Sequence, residues 1–355
     1  MSLENLRRKI DAADAEIVHL IAERIKITQE IGKEKRGAGK QIEDRERERK
    51  VLENIRQIAK EKGLSQNDIE SIYQQIISIS KRRQGIVVAF QGEAGSYSED
   101  ASLRFFGPST QAKPFESLDN VFKAVEQDET QFGIVPIENS LEGSISRTYD
   151  LFLDSILKVC GETELRVSHC LIASQKSRLD LIKRVFSHPQ ALGQCQTFLR
   201  HLGCELIPTY DTAGSVKMIK EKGTTDDGAI ASARAAKIYG MKIMAREIED
   251  NPNNFTRFFI LSKQDSPPSG NDKTSVVFAV KHQPGALYEF LKAFAARNIS
   301  LTKIESRPTR QKPWEYNFYL DFEGHRDDKA SQEALDGLAK ISLFVKVLGS
   351  YPRAK

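Results

Sequence analysis

The first 84 residues constrain the fold most strongly, because their apolar positions follow a helical period that no proline interrupts. Apolar residues recur at steps of three and four between Leu6 and Thr28, and the first proline of the chain is Pro108. Such spacing is typical of amphipathic helices, and Gly37 and Gly63 provide natural breaks between them. The pattern therefore predicts an all-α three-helix head, with helices over about residues 3–35, 42–62 and 65–84.

A different pattern begins at Gly85. Short apolar runs such as GIVVAF, FGIVPI and RFFILS alternate with helical stretches, which indicates an α/β domain. The stretch KQDSPPSGNDK is rich in proline, glycine and charge, as linkers are. After it, the order strand, helix, strand, strand, helix, strand is that of a ferredoxin-like α+β domain. The predicted divisions are 1–84, 85–263, a linker at 264–273, and 274–355.

Composition excludes several classes of protein. Hydrophobic residues make up 39% and charged residues 29% of the chain, with a net charge of +4, which fits a globular enzyme better than a nucleic-acid-binding surface. The four cysteines form no CxxC pair, so neither a zinc site nor a disulfide framework is predicted. No apolar run reaches the ~20 residues that a membrane helix needs. We therefore predict a cytoplasmic protein without metal, cofactor, membrane or nucleic-acid partner.

Spacing along the first helix suggests how its cations could act. Arg24 and Lys35 are eleven residues apart and share a helix face at about 16 Å, so their long side chains could hold both ends of a small dianion. Arg7 lies about 25 Å from Arg24 along a straight helix, which is too far for one small ligand. If Arg7 and Arg24 serve the same site, Arg7 must come from a second chain, and the head is predicted to be an intertwined dimer.

The head resembles the all-helical chorismate mutase family in the stretch LRRKIDAADAEIVHLIAERIKITQEIGKEK and the following DRERE. The resemblance implies a rearrangement that depends on positioning and charge stabilisation alone. Cations would hold the two carboxylates, Lys35 and Gln84 would donate to the ether oxygen, and Glu48 with a second acid would fix the ring hydroxyl. The substrate-binding residues implied by the resemblance are Arg7, Arg24, Lys35, Asp44, Arg47, Glu48, Ser80 and Gln84.

Polar loops follow several of the predicted strands of the α/β segment, where open sheets commonly bind ligands. The loops contain FQGEAGSYSEDA, VPIENSLEGSI, SHPQALGQC and NNFTRFF, and over about residues 86–262 they resemble prephenate dehydratase. The resemblance implies two α/β lobes of the periplasmic-binding-protein type with a cleft between them. Tyr149 stands where that family usually has an aliphatic residue, which we expect to alter packing and not chemistry.

In this family, Thr256 would contribute its hydroxyl to the acid function that expels the ring hydroxyl as water while the carboxylate leaves as CO2. Arg257 would anchor the negative charge of the substrate in the cleft. Ser96 and Tyr97 would lie near an anionic group, and the remaining residues would line the pocket. The implied binding residues are Ser96, Tyr97, Glu138, Asn139, Ser140, Gln194, Thr256, Arg257 and Phe258.

The C-terminal segment resembles the amino-acid-sensing ACT domain, through GAL at the start of its first helix and ESRP in the following strand. The resemblance implies that phenylalanine binds there and inhibits the dehydratase; a purely dimerising domain is the alternative. The implied phenylalanine-binding residues are Gly285, Ala286, Leu287, Asn298, Leu301, Glu305, Ser306 and Arg307.

Together the segments predict a homodimer or higher homo-oligomer that converts chorismate to prephenate and then to phenylpyruvate, with phenylalanine as inhibitor. A dehydratase that prefers arogenate is one alternative. A transcriptional regulator with a helix-turn-helix head is less favoured, because Asp68 and Glu70 suit a phosphate-lined groove poorly. A covalent mechanism through Cys195 and His188 is a further, weaker alternative.

Overall fold

The computed structural model describes residues 3–37, 45–84, 86–108, 110–280, 283–309 and 315–354. The head is helical, as predicted, and its helices are α1 Leu3–Gly37, α2 Arg45–Glu61 and α3 Gln66–Gln84.

Local chemistry explains how the second helix ends and meets the third. Gly63 adopts a φ of +69°, and the amide of Leu64 donates to the carbonyl of Ala59 at 2.9 Å, which closes the last turn of α2. Arg56 of α2 donates to both carboxylate oxygens of Glu70 on α3, at 2.6 and 2.9 Å. The bidentate pair fixes how α2 and α3 pack together.

The chain clusters into two compact units. The helical head belongs to one of them, together with residues 106–111. Most of the α/β segment and the whole C-terminal domain belong to the other.

The first lobe of the α/β domain is a mixed sheet in the order β2-β1-β3-β11-β5, with β4 beside β3. Strands β1 and β3 are parallel, whereas β11 runs antiparallel to both β3 and β5. The elements of this lobe are β1 Val87–Gln91, α4 Tyr97–Phe106, β2 Gln111–Phe115, α5 Leu118–Glu126, β3 Phe132–Asn139, β4 Gly143–Ser144, α6 Ser146–Asp154, β5 Lys158–Arg166 and β11 Phe255–Ser262.

The second lobe is a sheet in the order β10-β6-β9-β7-β8, in which β7 is parallel to β8 and β9. The chain enters this lobe through residues 167–169 and leaves it through residues 246–254. The elements are β6 Cys170–Ala173, the 3-10 helix Leu179–Leu181, β7 Arg184–Ser187, α7 Pro189–Gln194, α8 Gln196–Leu202, β8 Glu205–Pro208, α9 Thr212–Lys222, β9 Asp227–Ala231, α10 Ala233–Tyr239 and β10 Lys242–Ala245. The predicted two-lobed α/β arrangement is confirmed.

The C-terminal domain has the predicted ferredoxin-like fold, with an antiparallel sheet in the order β13-β14-β12-β15. Its first strand begins at Asp272, so the end of the predicted linker already belongs to the sheet. The elements are β12 Asp272–Val280, α11 Ala286–Ala295, β13 Leu301–Pro308, β14 Tyr316–Glu323, α12 Lys329–Ile341 and β15 Ser342–Pro352.

The C-terminal domain shares a hydrophobic core with the first lobe. Tyr351 and Phe259 are both fully buried, and their ring centroids lie 5.5 Å apart. Gly349 of β15 lies so close to β5 that a β-carbon there would be 2.1 Å from the carbonyl oxygen of Val159. Close packing of this kind couples the positions of the two domains.

None of the helices in the described part of the chain is long and apolar enough to cross a membrane. Within the same residue ranges, no group of three or more His, Cys, Asp and Glu side chains is arranged to hold a metal ion.

Candidate functional site

Thr256 and Asn139 form a hydrogen-bonded pair at the ends of two neighbouring strands. They are register partners on β11 and β3, and the Asn139 Nδ2 donates to the Thr256 Oγ1 at 3.1 Å. The Asn139 Oδ1 in turn accepts from the backbone amides of Leu141 and Glu142, at 3.0 and 3.1 Å. Both side chains of the pair are buried. Because the Thr256 hydroxyl accepts this bond, its own proton is available for donation.

The pair belongs to a chain of hydrogen bonds that reaches the second lobe. Asn139 Nδ2 also donates to the Oδ1 of Asn254 at 2.7 Å, and Asn254 Nδ2 donates to the Oε1 of Gln194 at 2.8 Å. The same Gln194 oxygen lies 3.1 Å from the Nε2 of His169, whose Nδ1 lies 3.0 Å from the hydroxyl of Tyr97. We call the connected set the site network; its members are Thr256, Asn139, Asn254, Gln194, His169 and Tyr97.

The lobe connections supply two members of the site network. His169 ends the segment that enters the second lobe, and Asn254 ends the segment that returns to the first. Gln194 comes from the second lobe, where it ends α7, and Tyr97 begins α4 in the first. The network therefore joins both lobes at their junction, which is where two-lobed proteins commonly bind ligands.

Burial shifts the pKa values of two members of the site network. Desolvation lowers the pKa of His169, with the Gln194 hydrogen bond opposing the shift. Desolvation also raises the pKa of Tyr97 well above its usual value. Burial therefore disfavours the charged forms of both side chains, the imidazolium and the phenolate.

Ser140 and Ser96 support the loops around the network. The hydroxyl of Ser140 donates to the carbonyl of Asn253 at 2.8 Å and accepts from the amide of Phe255 at 2.9 Å. Ser96 is buried at the start of α4, where its Oγ lies 3.4 Å from the amide nitrogen of Glu99. Phe258 is fully buried in the core. These three predicted residues therefore shape the surroundings of the network.

Glu138 and Arg257 lie elsewhere, although both were predicted in the cleft. The Arg257 guanidinium donates to Glu162 at 2.8 Å and to Asp321 of the C-terminal domain at 2.6 Å. Glu138 forms an ion pair with Lys303 of the C-terminal domain at 2.8 Å. Successive side chains of a strand point to opposite faces, so both residues face away from their neighbours Thr256 and Asn139. We therefore do not propose Arg257 as a substrate ligand.

A cavity of about 330 Å³ borders the site network at Tyr97. Arg166 and Arg234 line this cavity, but Arg166 pairs with Glu247 at 2.9 Å and Arg234 pairs with Asp100 at 3.1 Å. Burial raises the pKa of Asp100 to about 6, against the opposing effect of Arg234. Arg246 also lines the cavity, but neither Thr256 nor Asn139 does, so we assign no ligand to it.

Sequence reasoning missed two members of the site network. The sequence analysis assigns no functional role to His169 or to Asn254, although Asn254 lies two residues before Thr256 in NNFTRFF. Their position on the lobe connections would have distinguished them, but the second connection follows the weakly patterned strand β10. Nothing in the sequence alone marks where that connection begins.

The predicted residues of the head can be placed only in part. Arg7 and Arg47 are exposed on α1 and α2, and Arg24 is half-buried on α1. Asp44 lies outside the described residues. Several further predicted residues belong to the described helices while their side chains lie outside the description: Lys35, Glu48, Ser80 and Gln84.

The predicted phenylalanine-binding residues fall in separate places. Ala286 and Leu287 line a cavity of about 200 Å³ beside Tyr316 and Phe318, next to Gly285, which adopts a φ of +83° and immediately precedes α11. Asn298 lies beyond the other end of α11 with a φ of +55°. The rest occupy β13: Leu301, Glu305, Ser306 and Arg307.

Two of these predicted β13 residues contact the first lobe. The Arg307 guanidinium donates to the Oγ of Ser146 at 2.7 Å and to the carboxylate of Asp150 at 3.2 Å. Glu305 accepts from the hydroxyl of Ser144. The β13 strand is therefore part of an interface with the domain that carries the site network.

These features define a multidomain protein in which a helical head precedes a two-lobed α/β domain with a polar site at the lobe junction, and a ferredoxin-like domain packs on one lobe. Three sequence families match the chain in order: chorismate mutase type II over residues 6–85, prephenate dehydratase over 88–266 and the ACT domain over 274–340.

Known proteins resemble the chain over most of its length. It is 39% identical to a bifunctional chorismate mutase/prephenate dehydratase of Aquifex aeolicus, over 99% of this chain and 98% of that protein. It is 44% identical to arogenate dehydratase/prephenate dehydratase 2 of Arabidopsis thaliana, over 75% of this chain and 72% of that protein. The crystal structure of a prephenate dehydratase from Arthrobacter aurescens in complex with L-Phe has a TM-score of 0.70 and 32% identity, covering 76% of this chain and 90% of that one. The chain belongs to the family of bifunctional chorismate mutase/prephenate dehydratases.

Proposed function

We propose that the helical head rearranges chorismate to prephenate and that the two-lobed domain converts prephenate to phenylpyruvate. The observation that carries the second half is the buried pair of Thr256 and Asn139 at the lobe junction. Family membership carries the first half, since the head matches the chorismate mutase family throughout its length.

In the dehydration, the ring C–O bond breaks and the electron pair of the C–CO2 bond moves into the ring, which becomes aromatic. Carbon dioxide leaves, and one proton joins the departing hydroxyl to form water. Thr256 is suited to donate in this step because its oxygen accepts from Asn139, which leaves its own proton available for donation. Proton donation by a positioned group commonly contributes ~10²–10⁴-fold to a rate.

In the rearrangement, the head acts by holding chorismate in a reactive conformation and stabilising the charge that develops on the ether oxygen. Arg7, Arg24 and Arg47 are proposed to bind the carboxylates, and Lys35 with Gln84 to donate to the ether oxygen. Asp44 and Glu48 are proposed to fix the ring hydroxyl, with assistance at a carboxylate from Ser80.

We propose that the head is completed by a second copy of the chain. Apolar side chains on α1 are strongly exposed in the single chain, including Ile10 at 60%, Ile17 at 54% and Leu20 at 55%. Several exposed apolar side chains on one helix commonly mark an association surface. Together with the separation of Arg7 and Arg24 along one helix, these side chains support a dimer in which α1 packs against its copy.

We propose that phenylalanine binds the C-terminal domain and inhibits dehydration, and that the enzyme works in the cytoplasm. The phenylalanine complex of the Arthrobacter aurescens protein supports the ligand. Prephenate is the proposed substrate because the family pairs the dehydratase with a mutase that makes prephenate. Arogenate is the second candidate, favoured by the similarity to the Arabidopsis thaliana protein.

The decisive experiment supplies chorismate to the purified chain and follows phenylpyruvate with and without phenylalanine. We expect phenylpyruvate to form and phenylalanine to suppress it while prephenate accumulates. Competition between prephenate and arogenate identifies the preferred substrate, and sedimentation velocity measures the oligomeric state. Failure to consume chorismate, or consumption without phenylpyruvate, would contradict the corresponding half of the proposal.

A further inference from the structure

The strands that carry the Thr256–Asn139 pair carry a second pair in the next register position. Thr256 lies opposite Asn139, and Arg257 lies opposite Glu138. The register then shifts by one residue between Arg257 and Phe258, an irregularity of the kind that redirects side chains near functional sites. The first pair belongs to the site network. The second pair contacts the C-terminal domain.

Arg257 belongs to a buried group of charges shared equally by the two domains. Glu162 accepts from Arg257 at 2.8 Å and from Lys273 at 2.8 Å, while Asp321 accepts from Arg257 at 2.6 Å. Side-chain exposure is 11% for Arg257, 9% for Lys273, 7% for Asp321 and 0% for Glu162. We call these four residues the interface quartet. Its charges balance, with one cation and one anion from each domain.

The quartet is held in one geometry by further hydrogen bonds. Arg257 donates to the hydroxyl of Tyr351 at 3.1 Å, and the Oγ of Ser275 donates to Asp321 at 2.5 Å. Buried ionic groups with every partner satisfied tolerate little displacement, because the loss of one contact leaves a charge without compensation. Movement of strand β14 should therefore move Arg257.

Glu138 is held by β13 of the C-terminal domain, the strand next to β14. Lys303 of β13 lies 2.8 Å from the Glu138 carboxylate and donates to the hydroxyl of Ser144 at 2.8 Å. Strands β13 and β14 are adjacent in the sheet, so each holds one member of the Arg257–Glu138 pair. The C-terminal domain thus contacts both strands of the site at the residues beside Thr256 and Asn139.

We propose that Arg257 and Glu138 are positioning residues, through which β14 and β13 of the C-terminal domain set the geometry of Thr256 and Asn139. The inference rests on the proposed dehydratase function. Hydrogen bonds weaken steeply when their angle or length departs from the optimum, so a small shift of either strand is enough to disturb the 3.1 Å bond between Asn139 and Thr256. A ligand that moves β13 or β14 would act on turnover by this route.

The test uses Asp321→Asn and Lys303→Met, which alter the C-terminal domain and leave Arg257 and Glu138 in place. We expect each variant to lower kcat for prephenate about 10-fold, to change KM by less than about 2-fold, and to raise the phenylalanine concentration for half-inhibition several-fold. Chorismate mutase activity should stay unchanged. Glu323→Gln is the matched control, since Glu323 lies on the same strand in an exposed pair with Arg353, and we expect it to behave as wild type.

A double-mutant cycle separates positioning from direct substrate binding. If Arg257 acts through Asp321, the loss of kcat in Arg257→Gln and in Asp321→Asn should not add in the double variant. A large rise in KM for Arg257→Gln, additive with the effect of Asp321→Asn, would overturn the proposal. If the quartet variants do not fold, Lys303→Met decides. Glu138 is about one-third exposed, so its carboxylate can stay solvated without Lys303. A wild-type kcat and wild-type inhibition in Lys303→Met would overturn the proposal.

The outcomes also distinguish the inference from the function on which it rests. A wild-type chain that does not dehydrate prephenate contradicts the proposed function. A wild-type chain that turns over prephenate and is inhibited by phenylalanine, with unchanged kcat and inhibition in Asp321→Asn, contradicts the positioning role alone.

Discussion

Asn139 donates its amide to the hydroxyl of Thr256 at 3.1 Å, from the directly opposite position on a neighbouring antiparallel strand. Because that bond uses the Thr256 oxygen as an acceptor, the Thr256 proton is available for donation, and removal of the hydroxyl should remove the proposed proton donor. We expect Thr256→Ala to lower kcat for dehydration by ~10²–10⁴-fold and to leave mutase activity unchanged. Phenylpyruvate formation and chorismate consumption measure the two activities on the same preparation.

Thr256→Ser is the matched control, since it keeps the hydroxyl and loses only a methyl group. It should retain far more dehydratase activity than Thr256→Ala. Equal losses in the two variants would show that packing of the methyl group matters and proton donation does not. Loss of mutase activity as well would contradict the separation of the two sites.

Arg24 provides the reciprocal test, because it is half-buried on α1 in the head. Arg24→Ala removes a cation proposed to bind a carboxylate of chorismate, and such losses typically cost 2–5 kcal/mol. We expect mutase kcat/KM to fall at least ~30-fold while the dehydration of added prephenate is unchanged. Arg8→Ala is the control, since Arg8 is exposed and makes a long pair with Glu4 at 3.5 Å. A wild-type mutase rate in Arg24→Ala would contradict the assigned role.

The strands predicted correctly from sequence are those with apolar runs, such as β3 and β11. The strand β5, KVCGETELR, was missed because its alternating charges suggest a solvated surface. One of those charges is Glu162, which is buried at the interface with the C-terminal domain and pairs with Arg257. A charge can occupy a buried strand only if a partner compensates it, and a partner on another domain leaves no local signal in the sequence.

The same lack of a local signal explains which parts of the site could be predicted from the sequence. Tyr97, Asn139, Gln194 and Thr256 were expected around one pocket, and the structure joins all four through hydrogen bonds. The sequence also places Arg257 directly before the apolar run FFIL, where a charge needs a partner. It did not indicate on which face of the strand that partner lies, since the answer depends on strand register and on domain packing.

His169 provides a prediction about pH. In the folded chain, burial lowers the pKa of the His169 imidazole below its usual value of 6.5, which applies to the unfolded chain. Between the folded and the unfolded pKa values, the unfolded chain therefore binds more protons than the folded chain. The neutral His169 side chain therefore contributes fully to the free energy of unfolding above about pH 6.5. This contribution is lost as the pH falls from 6.5 through the lowered pKa of the folded chain. His169→Gln should reduce that dependence.

Urea unfolding of the wild type and His169→Gln between about pH 5 and 8 measures the effect. The difference between the two slopes isolates His169 from other titrating groups. His201→Gln is the control, since His201 is exposed and lies outside the site network. A wild-type slope in His169→Gln would show that His169 does not titrate differently on folding.

Cys195 provides a test of the covalent alternative. The residue is fully buried, and desolvation raises the pKa of its thiol, whereas a nucleophilic cysteine needs an accessible thiolate. His188 uses its Nδ1 to accept from the amide of Gln190 at the start of α7. We expect iodoacetamide at neutral pH to modify the less buried Cys204 first, without loss of dehydratase activity.

Peptide mass mapping identifies the alkylated cysteine, and phenylpyruvate formation follows the activity. Cys195→Ala should retain kcat within about 3-fold, because a buried cysteine behaves as a small hydrophobic residue. Inactivation that parallels alkylation of Cys195 would instead favour the covalent mechanism.

Lys273 tests whether the interface quartet stabilises the joined domains. Lys273 donates to both oxygens of Glu162 at 2.8 and 3.1 Å and is nearly buried, so Lys273→Met leaves a buried carboxylate with one cation fewer. We expect the free energy of unfolding of this unit to fall by ~3–5 kcal/mol.

Lys263→Met is the matched control, because Lys263 pairs with the exposed Asp128 and its loss should cost at most ~1 kcal/mol. Urea titration followed by tyrosine fluorescence and circular dichroism measures the stability of both variants. Adding Glu162→Gln to Lys273→Met should recover part of the lost stability, since the remaining Arg257–Asp321 pair is then balanced. Equal stability of Lys273→Met and Lys263→Met would mean that the quartet does not hold the two domains together.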